Sequence, residues 1–197
     1  MRLHRLAALP AAGLLAAAAL TAAPASANAT ATTVAAAPKV LKFGQSIRIK
    51  GEKGRPLRIT PVGVYYHRPS DAKFTQPREK WFVAIAVKVT ALSKTERIPS
   101  TPERSGWRIR IGGRAYTDTS GNAMSSPWVG RTDGPWINIQ PGSPEVLYYS
   151  FDVPKPGGTL EWSTPTGVTR WKIPTSKYGN AAVIKPVLDA IDDYEGR

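Results

Sequence analysis

Residues 141–154, PGSPEVLYYSFDVP, alternate in side-chain character with the two-residue period of an extended strand. One face carries Leu147, Tyr149, Phe151 and Val153, and the other carries Val146, Tyr148, Ser150 and Asp152. A Pro-Gly turn precedes the run, and Pro154 ends it because proline cannot donate a hydrogen bond to a continuing sheet. We predict a half-buried central strand here.

Residues 81–91, WFVAIAVKVTA, form the strongest predicted strand of the chain. One face carries Trp81, Val83, Ile85, Val87 and Val89, and the other carries Phe82, Ala84, Ala86 and Lys88. We therefore expect one side of this strand to be covered and the other side to be shielded in part.

Further short strands are predicted at regular intervals, at residues 45–50, 57–66, 107–111, 114–117, 136–139, 159–163 and 168–173. The first two could form a hairpin with an irregularity at Pro61, and Gly112-Gly113 forms a tight turn. Eight or nine strands, with no convincing helix among them, predict an all-β fold, an antiparallel β-sandwich. Residues 118–134 are the longest irregular region, and loops of this length are often functional or mobile.

The N-terminal residues 1–27 have the pattern of a secretory signal peptide. Arg2 and Arg5 precede a run of Leu and Ala, and Ala25-Ser26-Ala27 provides the small residues of a cleavage site, with Ala29 as a second choice. A retained membrane anchor is the alternative, which Pro24 and the polar residues from Thr21 onward disfavour. We expect a protein that is secreted, extracellular or cell-wall associated, without a transmembrane segment after cleavage.

The remaining chain divides into a flexible lead-in at residues 28–38, a sandwich at residues 39–173 and a tail at residues 174–197. The tail has apolar residues near helical spacing, with Pro186 among them, so we expect a short helix or a segment laid against the sandwich. The sequence contains no cysteine, which excludes disulfide bonds and a lipid-modified cysteine anchor.

The chain has 27 Lys and Arg residues against 14 Asp and Glu residues, a formal charge of +13. A basic exported protein attracts polyanions such as wall polymers, acidic lipid head groups and polysaccharides. Nucleic acid is disfavoured as a partner, because the basic residues are spread along the chain and no recognition helix is visible.

Several landmarks occur in a characteristic order: FGQSIRI, LRITPVGV, FVAIAVKVTAL, a Gly-Arg-x-Tyr hairpin at residues 113–116, and Pro141-Gly142 followed by YYSFDVPKP. Residues 43–163 thereby resemble the immunoglobulin-like domain of secreted bacterial proteins, including the mycobacterial immunoprotective extracellular protein family. The resemblance implies an exported immunoglobulin-like β-sandwich of unknown function, with no catalytic residues to transfer. The basic charge, the loop around Trp128 and the C-terminal extension depart from that family.

Catalytic motifs are sparse. After signal cleavage His67 is the remaining histidine, we expect it to lie in an exposed loop, and no nucleophile-elbow motif accompanies it. One histidine without cysteine disfavours a zinc site, so we predict no catalytic residue, metal or cofactor. A glycosidase needs a pair of carboxylates, and the acidic residues are scattered without a local pattern, so the sequence neither supports nor excludes such a pair.

Basic residues alternate with apolar ones on three predicted strands: Arg48 and Lys50, Arg108 and Arg110, and Arg170 and Lys172. These side chains should point out of their sheets and could form a cationic face where two strands share a sheet; simple solubilising residues are the alternative. Trp128 is predicted to be exposed, as an aromatic platform for a sugar or protein, whereas Trp136 should be core.

Two functional hypotheses remain. The first is a non-enzymatic binding domain for an anionic cell-envelope polymer or an extracellular protein. The second is an extracellular hydrolase or its accessory carbohydrate-binding module, which would need a cleft with carboxylates or His67.

Overall fold

Nine β-strands form two sheets in the part of the chain that the computed structural model describes, residues 39–99, 106–132, 137–164 and 167–197. The strands are β1 (Val40–Lys42), β2 (Ile47–Lys50), β3 (Pro56–His67), β4 (Trp81–Ala91), β5 (Trp107–Ile111), β6 (Arg114–Thr117), β7 (Glu145–Val153), β8 (Thr159–Thr164) and β9 (Gly167–Lys172). A 3-10 helix (Ala123–Ser125) and an α-helix, α1 (Ala181–Glu195), complete the elements. The predicted signal peptide, the predicted lead-in and Trp136 lie outside the described residues.

The two sheets pack face to face, which confirms the predicted all-β sandwich. One sheet has five strands in the order β1-β9-β8-β5-β6, and the other has four in the order β2-β3-β4-β7. Paired strands are antiparallel except for β1 and β9, which run parallel with Val40 opposite Arg170 and Lys42 opposite Lys172. The β2–β3 and β5–β6 hairpins form as predicted.

The main core lies between the sheets, because each strand directs every second side chain to that side. The four-stranded sheet contributes the predicted faces of β4 and β7, including the fully buried Ile85 and Phe151. The five-stranded sheet contributes three tryptophans, with the Trp107 ring centroid 5.8 Å from that of Trp162 and 5.7 Å from that of Trp171. Burial of side chains this large stabilises the fold by roughly 1.5–3 kcal/mol each.

A second, smaller core lies on the outer side of the four-stranded sheet, where α1 packs. Phe82 and Ala84 of β4 contact apolar residues of the helix, Val187, Ala190 and Ile191. The helix begins after Asn180, whose side-chain oxygen accepts a hydrogen bond from the Val183 N–H at 2.9 Å, and it ends at the left-handed Gly196. The helical alternative predicted for the tail is therefore observed. The described part of the chain contains no helix that combines the length and the hydrophobicity of a membrane span.

The predicted irregularity in β3 is a shift of register between Pro61 and Gly63. Gly63 lets the helix approach, because a Cβ atom at this position would lie 2.7 Å from Val183 Cγ1. Beyond the shift, Tyr178 and Val64 exchange two backbone hydrogen bonds of 2.9 and 3.0 Å. The segment that leads into α1 therefore extends the four-stranded sheet along β3.

Candidate binding sites

The outer side of the five-stranded sheet carries a group of basic side chains that we call the basic face: Lys42, Arg108, Arg110, Arg170 and Lys172. The strand register aligns them, because Arg108 and Arg170 lie on either side of Glu161 and Lys42 lies opposite Lys172. The predicted basic residues of β5 and β9 thus share one sheet surface. The sequence predicted a cationic face only where two of the basic strands share a sheet, and β5 and β9 do so.

Glu161 lies at the centre of the basic face and is fully buried. Its Oε2 accepts a hydrogen bond from Arg108 Nε at 2.7 Å, and its Oε1 accepts from Arg170 Nε at 2.7 Å and from Arg110 Nε at 3.2 Å. Burial alone would raise the pKa of Glu161, but the hydrogen bonds from the three guanidinium groups outweigh it and lower that pKa to about 2. The carboxylate therefore stays ionised and fixes the three arginines.

This arrangement corrects the expectation that the arginine side chains simply extend into solvent. The Arg108, Arg110 and Arg170 side chains are only 23%, 39% and 26% exposed, because each folds over Glu161. The three positive charges of these guanidinium groups still exceed the single negative charge of the Glu161 carboxylate. Lys42 and Lys172 add further positive charge, and both are exposed without an ion-pair partner among the described residues.

Arg48 and Lys50 belong to the other sheet. They lie on β2, exposed to solvent, and Arg48 is opposite Arg58 of β3. Of the six basic residues predicted to bind, four therefore share the basic face and two do not. Sequence alternation gave the outward direction of all six, but it could not assign them to sheets, because sheet membership depends on the strand order.

Trp128 is not exposed, so the prediction of an aromatic platform there is wrong. Its residue surface is 1% exposed, and its ring meets the Phe82 ring edge-on at 6.4 Å. The physical reason is that the outer face of β4 presents Phe82 and Ala84, which need a cover once the sheet forms. The loop that carries Trp128 provides part of that cover, and α1 provides the rest.

Asp152 anchors the same loop. Its fully buried carboxylate accepts hydrogen bonds from the backbone N–H groups of Arg78 (2.6 Å), Glu79 (2.9 Å) and Asn122 (2.8 Å). Two connecting segments are thus tied to the end of β7. A carboxylate bound by three backbone donors holds loops in place.

His67 is the last residue of β3 and is buried, so the expectation of an exposed loop histidine is also wrong. Its Nε2 atom lies 3.0 Å from Glu195 Oε1 at the end of α1. Burial lowers the pKa of His67 below its usual value and outweighs the opposing effect of the Glu195 charge. The contact joins the helix to the sandwich.

A cleft of about 610 Å³ opens on the outer side of the four-stranded sheet, beside the start of α1. Its lining consists of Gly44, Val62, Lys88, Pro144, Val146, Tyr178, Gly179, Asn180 and Val183. No carboxylate or histidine of the described residues lines it. The described residues also contain no cluster of three or more potential metal ligands.

Sequence reasoning did not single out Glu161, Tyr178 or Lys88 as site residues. Lys88 carried a signal, because it is the one charged residue of the apolar run 81–91. Glu161 and Tyr178 carried none, since their importance depends largely on distant partners: Arg108 and Arg110 for Glu161, and Val64 for Tyr178.

Comparisons with known proteins add little to these sites. No protein-family model matches the chain, and no curated protein matches it. One solved structure shows a distant likeness: a candidate lipoprotein (ycdA) of Bacillus subtilis, with 13% sequence identity and a TM-score of 0.42. The match covers 77% of this chain and 46% of that one, so the chain spans less than half the length of that protein. No site residue is transferred from it.

Proposed function

We propose that this protein is a secreted, non-enzymatic binding domain that engages anionic cell-envelope polymers through the basic face. The observation that carries the proposal is the fixed array of three arginines around buried Glu161, with Lys42 and Lys172 beside it. The predicted signal peptide and the resemblance to secreted immunoglobulin-like domains support a location where such polymers occur.

The arginine geometry suits repeated anionic groups. Arg108 and Arg170 each use only Nε in their described hydrogen bonds to Glu161, so their terminal nitrogens stay available to a ligand. A planar guanidinium can donate two parallel hydrogen bonds to a phosphate or carboxylate group. Several such contacts on one surface give binding that weakens as salt rises.

The experiment is a pull-down of the purified protein on isolated cell-wall and membrane fractions at low and high salt. The test variant is Lys42→Ser with Lys172→Ser, because Arg108 and Arg110 cannot be removed without leaving Glu161 short of partners. The matched control is Arg48→Ser with Lys50→Ser, which removes the same charge from the other sheet.

We expect capture of the unmodified protein at low salt, release at high salt, and markedly reduced capture of the Lys42/Lys172 variant alone. Equal losses in both variants would show that only the overall charge matters. Absence of capture at low salt would overturn the proposal.

The alternative function, a hydrolase or its accessory module, has no comparable support from the described residues. Glu96, Asp152 and Glu161 are buried, and the carboxylate of each is held by three donor residues. The buried Glu195 side chain contacts His67 and Arg197 at the end of α1. Burial would raise the pKa of Glu96, but the backbone N–H groups of Arg97, Lys53 and Arg55 outweigh it and lower that pKa. These acids stabilise loops and sheets.

A further inference from the structure

The cleft beside α1 is distinct from the basic face, because it lies on the outer side of the other sheet. Its volume of about 610 Å³ is within the size range of small-ligand pockets. Most of its wall is apolar, with Val62, Val146 and Val183 among the lining residues. We propose that this cleft is a second binding site, and that it takes a sugar unit that carries a carboxylate.

Lys88 supplies the charge that selects such a ligand. On β4 the outward residues Phe82, Ala84 and Ala86 are buried, whereas Lys88 is exposed at the next outward position. Its register neighbours are Thr60 and Val146, and no acidic side chain in the described ranges pairs with it. A lone cation in a largely apolar cleft complements a single negative group on a ligand.

Tyr178 supplies an aromatic surface. The residue is 43% exposed, one of few large apolar side chains with so much accessible surface among the described residues. Its ring packs edge-on against Phe43 with 5.4 Å between centroids, and its backbone is bonded to Val64. The ring is therefore held in place from two sides while part of it stays open to a ligand. Aromatic rings with a polar end suit a sugar, which has both apolar faces and hydroxyl groups.

Two glycines bring the walls of the cleft together. Gly44 has φ +91°, and a Cβ atom there would lie 3.1 Å from the Tyr178 hydroxyl oxygen. Gly179 has φ +118°, and its Cβ atom would lie 3.0 Å from the Val62 carbonyl oxygen. Both positions need a left-handed backbone and close approach, so glycine preserves the shape of the cleft.

The composition of the cleft also separates it from a polyanion site. The basic face offers five cations to a long ligand, whereas the cleft lining contains one, Lys88. Asn180 also lines the cleft, and its side-chain N–H₂ group, which is not used by the helix cap, can donate to a sugar hydroxyl. One charge, an aromatic ring and neutral polar groups match a short acidic sugar better than a chain of phosphates.

The test is calorimetric titration of the purified protein with galacturonic acid, a single sugar unit with one carboxylate, with neutral galactose in parallel. We expect the acidic sugar to bind and the neutral one to bind about tenfold more weakly, which is the effect of losing one charged hydrogen bond. Equal affinity for the two sugars, or no binding of either, would overturn the proposal.

Variants locate the binding. Lys88→Gln should weaken acidic-sugar binding about tenfold. Tyr178→Ala should weaken it by up to about tenfold because the aromatic contact is lost, whereas Tyr178→Phe should keep that contact and most of the affinity. Lys53→Gln, at an exposed lysine outside the cleft, is the matched control and should bind like the unmodified protein. Thermal melting of each variant shows that the fold is retained.

The Lys42/Lys172 double variant separates this proposal from the proposed function. It should bind the acidic sugar normally while losing capture on envelope fractions. Acidic-sugar binding that survives Lys88→Gln but disappears in the double variant would place the ligand on the basic face and overturn the cleft proposal.

Discussion

The two outer faces of the sandwich arise from the same strand alternation, yet they differ in almost every other respect. On the four-stranded sheet, β4 directs Phe82 and Ala84 outward, and α1 and Trp128 cover them. On the five-stranded sheet, β5 and β9 direct arginines outward, and that face stays open around one buried acid, Glu161. The comparison teaches that large apolar residues on both sides of a predicted strand indicate a further layer.

The largest change in the free energy of unfolding should come from removing the Trp128 side chain, which covers the four-stranded sheet. Trp128→Ala should lower the free energy of unfolding by roughly 3–5 kcal/mol, because it deletes a buried aromatic side chain. Lys172→Ala, on the open face, should change it by less than about 0.5 kcal/mol. Urea denaturation monitored by fluorescence or circular dichroism measures both. Similar values for the two variants would contradict the proposed contrast between a covered and an open face.

A smaller change in the free energy of unfolding is expected at Glu161, the buried acid of the open face. Glu161→Gln should lower the free energy of unfolding by about 1.5–3 kcal/mol at neutral pH, since hydrogen bonds to a charged group are lost. The pKa of Glu161 is lowered to about 2 in the folded protein, below its unfolded value of about 4.5. Its contribution is therefore complete above that unfolded value and is lost as the pH falls towards 2.

Denaturation curves between pH 7 and pH 2 test this assignment. The unmodified protein should lose the Glu161 contribution across the acidic range, and the Gln variant should show a shallower decline. Parallel pH curves for the two proteins would mean that Glu161 is not the group that titrates.

The smallest change in stability is expected at His67, where the covered sheet meets the end of α1. Burial lowers the pKa of His67, so the unfolded chain binds a proton more readily than the folded one as the pH falls below about 6.5. Stability should therefore decrease modestly on mild acidification, and His67→Gln should remove that decrease. Melting temperatures at pH 7.5 and pH 5.5 measure it. A pH response unchanged in the variant would assign it to another group.

The alternation of apolar side chains predicted the interior well, but the expectation that β7 is a central strand is wrong, because it lies at the edge of the four-stranded sheet. The inward faces of β4 and β7 are those expected from the sequence, because the two-residue period of a strand depends only on neighbouring residues. Pro61 correctly marked the irregularity of β3, since proline lacks the N–H that a regular ladder needs.

The exterior was harder to predict, because it depends on contacts between distant segments. Asp152 and Trp128 lie on outward or loop positions, and both are buried because segments far along the chain fold over them. Glu161 gathers Arg170 from the adjacent strand β9 and two arginines from β5, and β5 becomes a neighbour of β8 only through the strand order. His67 became buried because α1 ends against it. Local periodicity contains no information on such neighbours.

The parallel pairing of β1 with β9 also sets the order in which the sandwich can be completed. β1 comes from the start of the sandwich and β9 from its end, so Val40 cannot find Arg170 until nearly the whole sandwich has been synthesised. Pairings between such distant segments form slowly, and an unpaired strand edge invites association with other chains. We therefore expect the three residues of β1 to pair late and to cover the edge of β9 once they do.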